Sequence, residues 1–131
     1  MIVRMRDDQC FKMLPARRFR GVWLDEFEGS IFIEGARDVK TAKAELRRSL
    51  AVPVGNGEWL DWEDTKRNSV LPPSANARLI AIDFVGRRTA YPKRYGHMGM
   101  FNSEVIVDRV ISARPIYEAS VAYLEHEPTP N

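Results

Sequence analysis

Two short apolar runs, Leu79–Val85 and Val105–Ile111, bracket a segment rich in glycine, cations and aromatic rings. This arrangement constrains the fold more than any other feature of the chain. Each run is rich in β-branched side chains and bounded by turn residues, the signature of a strand. The segment between them carries Gly86, Gly96 and Gly99 for unusual backbone angles and Pro92 for stiffness. A strand–loop–strand unit over 78–116 is therefore expected, and the rest of the chain has to supply a surface for it to close upon.

The upstream sequence supplies more strands. Phe19, Gly21, Trp23 and Phe27 recur at the two-residue period of a half-buried strand. Glu28-Gly29-Ser30 reads as a turn, and Ile31-Phe32-Ile33 returns as the second arm of a hairpin that ends at Gly35. Asp38 stands where a helix cap belongs, its carboxylate able to accept from unpaired backbone N–H groups. Val39, Ala42, Leu46 and Leu50 then fall three or four apart, with Lys40, Lys43, Arg47 and Arg48 on the other faces. That spacing predicts an amphipathic helix over 39–50, stopped by Pro53 and a Gly55-Asn56-Gly57 turn. Glu58–Trp62 reads as a further strand, which puts Trp59 and Trp62 on opposite faces. Residues 65–77, broken by Pro72 and Pro73, read as loop. Past Pro115, Tyr117–Leu124 fits either period, and the β-rich context favours strand.

The expected fold is mainly β with one helix (α+β): a small curved antiparallel sheet, or a barrel resembling the oligonucleotide-binding (OB) fold, with an α+β roll as the alternative. One domain is expected for 131 residues. It comprises an N-terminal arm over 1–18, a β-rich body over 19–124 and a frayed end over 125–131.

Net charge is only +2, but the charges are sorted into blocks. Residues 1–20 hold six cations, three of them Arg17, Arg18 and Arg20, against Asp7 and Asp8; residues 87–94 hold Arg87, Arg88, Lys93 and Arg94 without an acid. Asp25, Glu26, Glu28 and Glu34, then Glu58, Asp61, Glu63 and Asp64, form acidic blocks. Such sorting can focus a field even when the sum is small. The single cysteine, Cys10, excludes an internal disulfide and suits a reducing, cytoplasmic setting. No apolar run approaches the length of a membrane span, so no membrane partner is expected.

The loop over 86–101 is the candidate ligand site. Arg87, Arg88, Lys93 and Arg94 suit phosphate, while Tyr91, Tyr95 and Phe101 offer stacking faces, with His97 alongside. Cations that follow a backbone and rings that stack on bases are what single-stranded nucleic acid requires. The expected partner is nucleic acid or a nucleotide, and the expected function is non-enzymatic binding. A second reading makes Trp59 and Trp62, ringed by acids, anchors for a protein partner. A third makes His97 a general base in a small hydrolase or transferase, oriented by Asp83 or Asp108. Cys10 paired with His97 lacks any surrounding signature of a thiol enzyme. One cysteine and two histidines, His97 and His126, form no zinc spacing, and the acidic runs lack the pattern of a calcium loop. No metal and no cofactor is expected, and no phosphate-cradling or dinucleotide-binding glycine motif is present.

Overall fold

The computed structural model describes residues 11–26, 29–50, 55–96 and 101–119. The expectations for Cys10, His97, His126 and the chain beyond Ala119 lie outside the described residues. Seven elements follow in order: β1 (Arg17–Glu26), β2 (Gly29–Glu34), α1 (Val39–Leu50), β3 (Gly55–Asp61), α2 (Asp64–Val70), β4 (Ala77–Arg88) and β5 (Phe101–Ala119). The strands close into a barrel of order β1-β2-β3-β5-β4, with β4 returning to pair with β1. This is the OB-like solution, not the roll.

Alternation along the strands sorts side chains into two cores. Phe19 and Trp23 of β1, Phe32 of β2, Leu60 of β3, Ile80, Ile82 and Phe84 of β4, and Val105 and Val107 of β5 fill the barrel. Val22 and Leu24 of β1 and Leu79 of β4 point outward. There they meet Ala42 and Leu46 of α1, with Ile31 and Ile33 of β2 at the margin. The helix predicted over 39–50 thus covers the outer face of β2 and of the Val22–Leu24 end of β1. Its cap is the expected one, since Thr41 N donates to Asp38 Oδ1 at 2.7 Å. That bond holds the Asp38 carboxyl below its ordinary range.

Four expectations need correction. The first is the helix count: α2 lies within the segment read as loop. Glu63 caps it, accepting from Thr65 N at 2.9 Å and Lys66 N at 3.3 Å. The helix buries none of its residues, so it has no apolar stripe for a period to reveal. The second is pairing sense. β3 and β5 run parallel, because α2 and β4 carry the chain away and back before β5 is laid down. The third is the break at Pro115: β5 passes through it, pairing it with Ile80 where the ladder shifts register. A proline, lacking an N–H, is tolerated at such an irregularity. The fourth is the Gly55–Gly57 turn, which instead opens β3. The register slips between Gly55 and Glu58, as a bulge at flexible glycines permits.

β1 begins two residues earlier than the boundary drawn at 19, and the described residues just before it, 11–16, pair with the end of β4. Met13 bridges to Thr89, Leu14 N donates to Arg88 O at 2.7 Å, and Ala90 N donates to Lys12 O at 2.8 Å. This extends the β1–β4 ladder upward to the start of the β4–β5 loop. No helix among the described residues is long and apolar enough to cross a membrane.

Candidate nucleic-acid interface

The loop joining β4 to β5 is tied at both ends. Thr89 N donates to Glu104 O at 3.0 Å, and Glu104 N donates back to Thr89 Oγ1 at 3.1 Å. Higher up, Tyr95 and Phe101 exchange two backbone hydrogen bonds, at 2.8 and 3.1 Å. Tyr95 is 4 % exposed. Its ring meets Phe11 edge-on at 4.9 Å, and its hydroxyl donates to Tyr91 O at 2.7 Å. Gly96 turns the chain at φ +72°, and a Cβ there would come within 2.7 Å of the Trp59 ring. Trp59 in turn packs on Phe101 with ring centroids 5.2 Å apart. The described part of the loop is thus held by a small aromatic sub-core on one flank of the barrel.

These anchors divide the expected ligand set. Tyr91 is 57 % exposed, and Lys93 and Arg94 beside it are exposed with no ion pair among the described residues. Tyr95 is spent on packing, and Phe101 is half-buried against Trp59. Arg87 and Arg88, expected in the loop, are the last residues of β4, and successive side chains of that strand point in opposite directions. Arg87 turns outward and grips Asp108 with Nε and Nη2, at 2.9 and 2.8 Å. Arg88 points over the barrel mouth, where Nε donates to Glu58 at 2.6 Å and Nη2 donates to Glu34 at 2.8 Å. Ser103 adds a bond to Glu58 at 3.0 Å, and Arg17 pairs with Glu34 at 2.9 Å. Beneath them lies Phe19, with the guanidinium carbons of Arg17 and Arg88 at 3.7 and 5.1 Å from its ring centre. The mouth is closed by two cations, two carboxylates and a ring. The hydrogen bonds from Arg17, followed by those from Arg88, draw the Glu34 carboxyl below its ordinary value. The bonds that Arg88 donates to Glu58, then to Glu34, hold it more firmly protonated than an ordinary arginine.

The carboxylates suggested as partners for His97 are engaged elsewhere. Asp108 belongs to Arg87. Asp83 faces outward and is gripped by both Nε and Nη2 of Arg18, with Arg20 Nε at 3.3 Å. The bond from Arg18 is the main reason its carboxyl sits below the ordinary range. The two tryptophans part company as expected. Trp59 stays on the outer flank, whereas Trp62, just past β3, is 6 % exposed and meets Trp23 edge-on at 5.2 Å within the barrel.

Sequence reasoning passed over the wall formed by β1, β4 and β5. Cross-strand register sets Arg18, Val85 and Arg109 in one row, Arg20, Asp83 and Ser112 in the next, and Val22, Ala81 and Arg114 below. The signal was present in the sequence: Arg18 and Arg20 alternate with Phe19 and Gly21, which places both outside. At the far end of the barrel, a cleft of about 440 Å³ lies beside α2 and is lined by Asp25, Glu26, Arg67 and Arg78, among others. Arg78 there donates to Asp25 Oδ2 at 2.7 Å and to Pro72 O at 2.8 Å. No group of three or more His, Cys, Asp or Glu among the described residues is placed to hold a metal ion. No protein-family model, curated protein or solved structure matches the chain.

Proposed function

We propose that this protein is a non-enzymatic binding module whose β4–β5 loop holds single-stranded nucleic acid. The observation that carries this reading is the state of Tyr91, Lys93 and Arg94. One ring and two cations stand exposed together on a loop whose own base is fixed by Tyr95. Tyr91 offers the stacking face and the two cations take phosphates, while Arg87, Arg88, Tyr95 and Phe101 shape the loop. OB-type barrels use the corresponding loop for oligonucleotides, which supports the choice of ligand. A pre-tied loop also loses less conformational freedom on binding than a slack one. The arginine grips on Asp83 and Asp108 favour binding over a His97-centred hydrolysis, since they occupy the carboxylates that would orient the base. The burial of Trp62 leaves Trp59 alone for a protein-contact reading. The lone cysteine fits work in the reducing cytoplasm.

The test is fluorescence anisotropy with a labelled oligothymidylate. Tyr91→Ala should weaken binding by about 1–3 kcal/mol, the worth of one stacked base. Lys93→Ala with Arg94→Ala should shallow the dependence of log K on log salt by about 1.4, at about 0.7 for each phosphate no longer neutralised. Binding that ignores salt, or that survives both changes intact, contradicts the reading.

A further inference from the structure

We propose that the outer wall of β1, β4 and β5 is a second phosphate-binding surface, on which Arg18, Arg20, Arg109 and Arg114 follow the backbone of the strand held by the loop. This rests on the nucleic-acid reading above and extends it from a loop to a track.

Three strands bring the backbone positions of these four arginines onto one face, with Arg18 and Arg20 on the carboxylate of Asp83. Neighbouring strands lie about 4.8 Å apart and successive outward residues about 7 Å apart, so the four backbone positions fall within one patch about 10–20 Å across. Asp83 is the only acid in the three rows. It holds Arg18 through Nε and Nη2, which orients that guanidinium and leaves its other N–H donors toward solvent. Arg20 touches the same carboxylate with its side chain 74 % exposed. Arg109 and Arg114 are exposed and make no ion pair among the described residues. Gathering like charges costs stability through repulsion and favours an anionic ligand.

The position of the patch argues for a strand shared with the loop. The β1–β4 ladder runs from the Arg20–Asp83 row up to Arg17–Gly86, and the isolated Met13–Thr89 bridge resumes the pairing at the loop's foot. Below the Arg20–Asp83 row the outer face of β1 passes under α1 through Val22 and Leu24, with Ile31 of β2 beside them, so the open wall narrows there to β4 and β5. At its lower end the wall meets another cation, where Lys43 Nζ sits 3.8 Å over the Tyr117 ring. No aromatic ring in these three rows offers a stacking face, so the wall suits phosphates and is indifferent to base identity. A single strand stacked on Tyr91 and running down this wall is the occupant that fits.

The experiment compares oligothymidylates of about 4 and about 16 nucleotides, the range of site sizes on single OB folds. The variant combines Arg20→Ala, Arg109→Ala and Arg114→Ala, which spares the Arg18–Asp83 pair; thermal unfolding checks that it folds. Arg109→Gln with Arg114→Gln serves as a milder second variant. The expected result is at least about a tenfold loss of affinity for the long oligonucleotide and a salt slope shallower by about 2, at about 0.7 per neutralised phosphate. Affinity for the short one should be unchanged. Long-oligonucleotide binding at wild-type affinity and slope overturns the wall while leaving the loop reading in place. Absence of binding by the wild-type protein at both lengths overturns both. Displacement by polyglutamate as efficient as by oligonucleotide of equal charge overturns the choice of nucleic acid.

Discussion

Phe19→Ala should destabilise the barrel by about 4 kcal/mol, the usual scale for emptying a buried aromatic site. Phe19 is 1 % exposed and joins the two parts of the molecule that matter most. Below it, Phe84 stacks at 5.2 Å and Phe32 meets it edge-on at 6.1 Å. Above it sit the guanidinium groups of Arg17 and Arg88. Truncation therefore opens a cavity and also takes the ring from beneath two cations. Phe19→Leu keeps most of the apolar volume but forfeits the cation–ring attraction, so its cost should be about 1–2 kcal/mol. Urea denaturation of both variants checks this, and a Phe19→Leu variant as stable as wild type would mean that the ring itself contributes nothing.

Arg88→Met should cost about 2–3 kcal/mol at neutral pH. Methionine keeps an apolar stem over Phe19 but leaves Glu58 and Glu34 without their shared partner. Removing one member of a buried pair costs about 3–5 kcal/mol, and the figure is reduced here because the mouth is partly solvated. The loss should depend on pH in a definite direction. Glu34 titrates below its ordinary value of 4.5 in the folded protein. Its contribution to stability is therefore complete above pH 4.5 and disappears as the pH falls through its folded pKa. Arg88 is one source of that depression, Arg17 being the larger. The gap between wild type and Arg88→Met should narrow on acidification, while the acid sensitivity due to Arg17 remains. Urea midpoints from pH 7 down to about pH 3 provide the check. A gap that widens toward acid would show that the mouth network does not work as described.

How much of this could be read from the sequence follows from which forces leave a periodic trace. The strand around Val105–Ile111 and the helix begun at Asp38 bury one face, the strands around Phe19–Trp23 and Leu79–Val85 bury parts of both, and burial leaves an apolar trace in each. Helix α2 buries no residue and depends on the Glu63 cap, so no hydrophobic pattern marked it. The parallel β3–β5 pairing and the passage of β5 through Pro115 are consequences of barrel closure, which no local window contains. The loop's composition was legible, but the division of its labour was not. Tyr95 and Tyr91 are the same residue type four positions apart, yet one is an anchor and the other faces solvent. Arg87 and Arg88 looked like ligands because their partners, Asp108 and the Glu58–Glu34 pair, come from elements far along the chain. The arginine wall is the converse: Arg18 falls in the arm read over 1–18 and Arg20 in the first strand, and only the register with β4 and β5 brings Arg109 and Arg114 alongside.

The most direct test of where a ligand sits is a backbone amide chemical-shift titration of the isotope-labelled protein with unlabelled oligothymidylate. Binding at the loop and wall predicts shifts concentrated at Ala90–Gly96, followed by Arg18, Arg20, Arg109 and Arg114, with α1 and the cleft beside α2 unchanged. Shifts confined to α1 or to the surroundings of Arg67 and Arg78, with Tyr91 and Lys93 unmoved, would contradict it.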